Sequence, residues 1–357
     1  MANPGISRVV GTESRSPLLS EGVSARVTAW ATVLVLVLTY LILAANVGWA
    51  PFRRTGHPVA TATAPSRQTR SPAASRPSRS VTVLGPFGVA PYVEIPAVSP
   101  PAGPVTKTVI RGSGPAFTAA DVPVGNYAVY EWQGSRMAFS TFGQTPVLFS
   151  GAALTLLSNL LAGCDLGSRV SVTLSASYLY GSEGDPALKI SPAATLVYVV
   201  DLIRQFRWDA AASGPTVSDG GGTLPTVTPA AGAGNFSVDW PDEAPPARLE
   251  RKVLVSGSGP PVTAGELVVV QYIGLDWQNA DTFYSSWSRR MPVAFRAGSS
   301  SPGAIAGLSD GVLGAKVGSR VLLVVPPADG FAVRRPPSGV RRTDTLIVVV
   351  DVLGVFS

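Results

Sequence analysis

The chain has one cysteine, Cys164, and one histidine, His57, in 357 residues. A lone thiol forbids an intrachain disulfide, and the two counts together exclude a Cys/His zinc site. His57 sits in a Pro/Arg/Ser-rich stretch, so no Ser-His-Asp or Cys-His nucleophile pair can form inside a folded domain. A G-x-x-x-x-G-K-[ST] phosphate loop is also missing. Charge is scarce as well, with Asp, Glu, Lys and Arg making up 14% of the residues. Any chemistry must therefore be done with amides, hydroxyls and aromatic rings, and no cofactor or metal is expected.

The net charge of +6 is concentrated in one place. Between Pro51 and Val93 lie Arg53, Arg54, Arg67, Arg70, Arg76 and Arg79 and not one acidic residue. These arginines stand in a Pro/Ser/Ala tract rather than among aromatics on a folded surface, so a nucleic-acid partner is not expected. Anionic headgroups or wall polymers fit this tract better. Just before it, residues 27–50 contain no charge. As a helix at 1.5 Å per residue they would span roughly 36 Å, enough to cross a hydrocarbon layer of about 30 Å. Trp30 and Trp49 stand near its ends, where interfacial aromatics belong. The arginine count does not set the orientation. The short tail before the span fits the cytoplasm, so the expectation is a single-pass protein of the cell membrane with its folded domains outside.

What is abundant is glycine, proline and β-branched runs. The runs Arg169 to Ser175, Thr195 to Ile203, Leu267 to Ile273, Arg320 to Val325 and Thr345 to Leu353 predict strands. They fall into two blocks that repeat each other. Gly112-Ser113-Gly114-Pro115 recurs as Gly257-Ser258-Gly259-Pro260, an offset of 257 − 112 = 145. Leu166 to Val170 recurs as Val317 to Val321, and Thr195 to Asp201 recurs as Thr345 to Asp351, at offsets of 151 and 150. Three landmarks in one order identify a tandem duplication. Each block carries one short helical candidate before its G-S-R-V strand. Leu154, Leu157 and Leu161 share a helix face in the first; Ala304 to Ala315, rich in glycine, is the second.

The expected organisation is a tail (1–26), a membrane helix (27–50), a basic Pro-rich stalk (51–91), a first domain (92–206), a low-complexity linker (207–235) and a second domain (236–357). The fold class is α+β, each domain a curved antiparallel sheet wrapped on one short helix.

The order of landmarks resembles the FKBP family of peptidyl-prolyl cis-trans isomerases. In the second block the likeness runs through Val270-Gln271-Tyr272-Ile273-Gly274, Thr282 to Trp287, Pro292 to Phe295, Gly307 to Val312, Val324 to Pro327 and Thr345 to Asp351. In the first it rests on Tyr178 to Gly181, Ile190 to Pro192 and Thr195 to Leu202. The resemblance implies an isomerase that needs no nucleophile, acting on proline-containing polypeptides. Rotation about X-Pro crosses a barrier of roughly 18–20 kcal/mol set by amide conjugation. The twisted bond is less polar than the planar one, so a dry aromatic cradle favours it. Carried onto this sequence, the catalytic lining is Tyr272, Phe283, Ile305, Leu308 and Phe331. Tyr284 stands at the family's acidic pocket position, Leu308 at its tryptophan floor, and Val293 and Val348 at aromatic wall positions. The first block supplies Trp132 at the place of Tyr272, with Leu154, Leu157, Tyr180, Ile190 and Tyr198 as further substrate-binding candidates, and Phe139-Ser140-Thr141 as a shortened F-D-S-S region. Leu154, Leu157, Ile305 and Leu308 read equally well as plain core packing. Cys164 reads as a small buried hydrophobe, and Glu131, Asp276 and Asp281 as ordinary loop or edge charges. Two functions remain open: a membrane-anchored prolyl isomerase of reduced activity, or a lapsed FKBP-like module that binds proline-containing segments or a protein partner.

Overall fold

The repeated valine-rich runs become the central strands of two sheets in a computed structural model, which describes residues 7–10, 80–218, 223–298 and 303–357. The apolar segment 27–50 and most of the stalk, His57 included, lie outside the described residues. Among the described residues no helix is long and apolar enough to cross a membrane. Residues 80–82 and 93–99 fall in a small unit of their own; the rest form one larger unit.

In chain order the strands and helices are β1 (Ser7–Val10), β2 (Thr82–Leu84), β3 (Tyr92–Glu94), β4 (Val105–Ile110), β5 (Asp121–Glu131), β6 (Met137–Ser140), β7 (Val147–Leu148), α1 (Ala152–Asn159), β8 (Arg169–Ser175), α2 (Ala176–Tyr180) and β9 (Thr195–Arg207). They continue with β10 (Thr226–Pro229), β11 (Phe236–Asp239), β12 (Glu250–Val255), β13 (Leu267–Asp276), β14 (Thr282–Ser285), β15 (Val293–Arg296), α3 (Ala306–Gly311), β16 (Arg320–Val325) and β17 (Leu346–Phe356). The first sheet runs β4-β8-β9-β5-β6 with β7 on β5; the second runs β12-β16-β17-β13-β14 with β15 on β13. All these pairs are antiparallel, so one topology occurs twice. A bulge bends each long central pair, between Val124 and Gly125 in domain 1 and between Val269 and Val270 in domain 2.

Each sheet folds its inner face over its helix. In domain 1 α1 delivers Leu157, and the turn that follows it Leu161, both fully buried, onto Val170, Val172, Tyr198 and Val200. In domain 2, α3 is only six residues long. Its glycines cost helix propensity, but they permit contact. A Cβ on Gly307 would lie 2.4 Å from Val325 Cγ1, and one on Gly311 2.6 Å from Leu323 Cδ1. The helix therefore sits directly on β16, and Leu308 and Val312 reach the core.

The outer faces explain why the strands of domain 2 read as continuous apolar runs rather than alternating ones. Ile273, Leu275, Leu322, Val324, Ile347 and Val349 turn away from the helix and are nonetheless buried. The end of the stretch expected to be a low-complexity linker (207–235) and the first residues of the expected second domain cover them. β10 and β11 form a hairpin whose Val227, Phe236 and Val238 pack on this face beside Trp277 and Trp287. Burying each such side chain contributes about 1.5–3 kcal/mol. The connector is further pinned by Val217 N donating to Leu254 O and Ser256 N to Pro215 O. β1 joins as a third strand antiparallel to β11. The two domains also touch. Phe206 meets Phe356 edge-on at 6.3 Å, within a cluster of Val122, Val124, Leu148, Val269 and Leu353.

Candidate active site

Domain 2 holds a cavity of about 160 Å³ between its inner sheet face and α3, lined by Tyr272, Phe283, Gly303, Ala304, Ile305, Leu308, Phe331, Arg334 and Val348. Six of the eight positions expected in this domain come together there. Tyr272 comes from β13, Phe283 from β14, Val348 from β17, Ile305 and Leu308 from the start of α3, and Phe331 from the loop after β16. Phe283 and Phe331 meet edge-on at 6.1 Å. The ring of Phe283 is admitted by a missing side chain, since a Cβ on Gly274 would stand 2.4 Å from its Cζ.

The other two expected residues are placed differently. Tyr284 is absent from the lining; its ring stacks flat on Tyr272, with centroids 4.5 Å apart and planes 11° apart. Arg289 caps this stack, its guanidinium 4.6 Å from the centre of the Tyr284 ring. Val293 pairs with Val270 and packs against the inner core rather than lining the cavity. Burial raises the pKa of Tyr272, and the Tyr284 phenol adds to the shift. Burial also raises that of Tyr284, with Arg289 opposing it. Both phenols therefore stay protonated at neutral pH, able to donate a hydrogen bond but not to act as bases. The cavity has no nucleophile and no carboxylate; among the described residues no cluster of His, Cys, Asp or Glu could hold a metal. Its chemistry is that of a small apolar cradle with a cation at its edge.

Residues the sequence reasoning missed are Gly303, Ala304 and Arg334. Arg334 Nη1 donates to Ala304 O at 2.7 Å, which ties the loop after β16 to the segment that opens α3. Its only sequence signal was an Arg-Arg pair three residues past Phe331.

The equivalent place in domain 1 is filled. Tyr198, the counterpart of Val348, is 1% exposed, and its hydroxyl meets that of Tyr180 at 2.7 Å. Tyr127 packs on Tyr198, Phe139 and Phe149 with ring centroids 5.6–6.0 Å apart. Leu157 and Ile190 are buried in the same core, and Leu154 packs against it. Leu154, Leu157, Ile190 and Tyr198 are thus core here rather than a substrate wall, and Tyr180 is half-buried against them.

Two correspondences need correcting. Trp132 does not occupy the place of Tyr272: its N–H bonds Thr195 O as that of Trp277 bonds Thr345 O. The true counterpart is Tyr127, whose N–H bonds Thr141 Oγ1 as that of Tyr272 bonds Ser286 Oγ. Nor is the first F-D-S-S region shortened. The register sets Phe139 opposite Val129 and Tyr284 opposite Gly274, so Phe283-Tyr284-Ser285-Ser286 corresponds to Ala138-Phe139-Ser140-Thr141. Cys164 is half-buried, and burial raises its pKa. Asp276 is not a loop charge but a buried one, 2% exposed, against the equally buried Asp344.

An aromatic cradle of this kind matches the comparison with known proteins. The FKBP-type peptidyl-prolyl cis-trans isomerase family matches residues 259–353. An FK506-binding protein of Streptomyces anulatus is 36% identical over 119 residues, 33% of this chain and 94% of that one. The chain belongs to the FKBP family. A probable FK506-binding protein of Corynebacterium glutamicum is 30% identical over 119 residues, 32% of this chain and 94% of its own. The crystal structure of the three FKBP domains of wheat FKBP73 covers 71% of this chain and 94% of that one at 19% identity, with a TM-score of 0.28.

Proposed function

We propose that this chain is a peptidyl-prolyl cis-trans isomerase of reduced activity, working through the domain 2 cavity on proline-containing polypeptides. The observation that carries the reading is the open apolar cavity between Tyr272, Phe283, Phe331 and Val348 in that domain. A proline ring seated there leaves water, and the less polar twisted amide is favoured over the planar one. Activity is reduced because Leu308 offers the ring less flat surface than an indole. Tyr284, stacked on Tyr272, also supplies no carboxylate.

The test is a protease-coupled isomerisation assay on the full chain, beside the double variant Leu308→Trp with Tyr284→Asp. A wild-type rate above the uncatalysed one supports the isomerase. A silent wild type revived by the two substitutions supports the second reading, a lapsed module that only binds proline-containing segments; the flat Tyr272/Tyr284 stack is the observation that favours it.

We further propose that residues 27–50 anchor the chain in the cell membrane with both domains outside. One crossing puts residues 7–10 and 236–239 on opposite sides, so β1 leaves β11 in the anchored state. Carbonate extraction of membranes tests the anchor: release into the soluble fraction sinks it. A cysteine placed at Ser7 and labelled on intact cells tests the orientation.

A further inference from the structure

We propose that the domain 2 cavity selects prolines that neighbour an acidic residue, an inference that rests on the peptide-binding role given to that cavity above. The lining contains one charged side chain, Arg334, and no carboxylate. The bond from Nη1 to Ala304 O fixes the guanidinium at the cavity instead of letting it sweep through solvent. A second cation, Arg289, lies on the Tyr272/Tyr284 stack that forms the neighbouring wall. At the position where the family resemblance expects an acid, Tyr284 is a neutral phenol and brings no carboxylate to that wall.

The surrounding loop adds to the same sign. Residues 327–344 contain Arg334, Arg335, Arg341 and Arg342 against Asp329 and Asp344, and Asp344 is already engaged by Arg341. A peptide entering the cavity therefore meets the Arg334 guanidinium beside an apolar floor. A carboxylate next to the proline gains from a guanidinium in this partly dry site far more than it would in water, because the effective dielectric is lower. Arginine also presents paired donors that match a carboxylate. A lysine in the same peptide position meets like charge and is disfavoured.

The experiment measures kcat/KM of the full chain on the peptides Ala-Xaa-Pro-Phe with Xaa as Glu, Leu or Lys. The expected order is Glu, then Leu, then Lys, with Glu over Lys at least about fivefold at low salt and falling toward one at about 0.5 M NaCl. Arg334→Gln collapses the ratio, and Arg334→Lys keeps most of it. Since ratios are compared within each variant, a general loss of activity does not mimic the effect. Equal rates on the three peptides overturn the selectivity and leave the isomerase standing. If no peptide is turned over, anisotropy titration of the labelled peptides decides: Glu binding tighter than Lys upholds the selectivity without catalysis, and equal Kd values overturn it.

Discussion

The two domains share one topology and one register, yet they spend the space between sheet and helix in opposite ways. Domain 1 has Val129 and Ala138 where domain 2 has Gly274 and Phe283, and Tyr198 where domain 2 has Val348. Each exchange is matched within its own domain. Removing the side chain at residue 274 lets the Phe283 ring into the wall, and shortening residue 348 leaves a cavity beside it. In domain 1 the tyrosine hydroxyls of residues 180 and 198 bond each other, which satisfies two polar groups that burial would otherwise strand. The difference teaches that duplication kept the scaffold and divided the labour: one copy is packed as a solid, the other keeps a hollow. What the copies share is an ion pair that straps down the chain preceding each sheet.

That pair is where the largest effect is expected. Arg169 and Asp201 stand directly opposite on β8 and β9, and Arg169 donates two bonds to the Asp201 carboxylate, at 2.7 and 2.8 Å, with both side chains fully buried. Arg169 also donates to Gly85 O and Val89 O, and Gly88 N donates to Asp201 Oδ2. In domain 2, Arg320 and Asp351 repeat the arrangement, Ala212 N donates to Asp351 Oδ2, and Phe236 lies under the guanidinium at 4.7 Å. Removing one partner of a buried pair leaves an uncompensated charge and costs about 3–5 kcal/mol. Asp201→Ala should reach that range in urea denaturation. Asp351→Ala should lose less, because the Arg320 side chain keeps 10% of its exposure and can draw on water. Equal losses would break the comparison.

Exchanging the cavity residues comes next. Tyr198→Val removes a buried ring and strands the Tyr180 hydroxyl, so domain 1 should lose about 2–4 kcal/mol, read by thermal unfolding. Peptide isomerisation should be untouched. Val348→Tyr does the reverse: it fills the domain 2 cavity and should lower kcat/KM at least tenfold, about 1.4 kcal/mol in the barrier, with little change in stability. If Tyr198→Val alters catalysis as much as Val348→Tyr does, the division of labour is wrong.

Much of this was legible in the sequence, and the parts that were not have physical reasons. The repeats showed the two sheets, and the run Leu346 to Leu353, apolar at nearly every residue, read as a strand. What covers the second face was hidden. The connector spreads Val227, Phe236 and Val238 among Thr, Pro, Gly and Ala, too thinly for a pattern to register, and its hairpin folds because domain 2 offers it an apolar surface. Setting Trp132 against Tyr272 takes an offset of 140, which no landmark has. Gly112 and Gly257 set 145 for the first half of each repeat, which carries Tyr127 to Tyr272; the later landmarks shift to 150 through loops of different length. Six of the cavity aromatics and aliphatics were found through the resemblance, but Arg334 was not, because no periodicity marks a loop residue that folds back over a helix start.

The smallest effect concerns a pair that only domain 2 has. Asp276 ends β13 and Asp344 precedes β17, at 2% and 3% exposure. Their counterparts are Glu131, which pairs with the exposed Arg136, and Ala194, so domain 1 has no such meeting of carboxyls. Burial raises the pKa of Asp276, and the hydrogen bond to Asp344 raises it further. Burial works the same way on Asp344, but the bonds from Arg341 and Asp276 outweigh it and hold that carboxyl low. As the pH falls, Asp276 is therefore the member of the pair that takes up a proton first. Because the folded pKa of Asp276 lies above its unfolded value, its contribution is fully present below the unfolded carboxylate range and is lost as pH rises through the folded pKa. At neutral pH the pair is therefore a cost. Asp276→Asn keeps an oxygen to accept from Gln278 N, now at 2.6 Å from Asp276 Oδ1, and gains an N–H for Asp344. It should stabilise the chain by about 1 kcal/mol at pH 7 and by much less at pH 4. Glu131→Gln should change stability by less than about 0.5 kcal/mol at either pH, since its partner is an exposed arginine. A stability gain for Asp276→Asn that does not shrink as the pH falls would mean that the carboxyl is strained by packing rather than by charge.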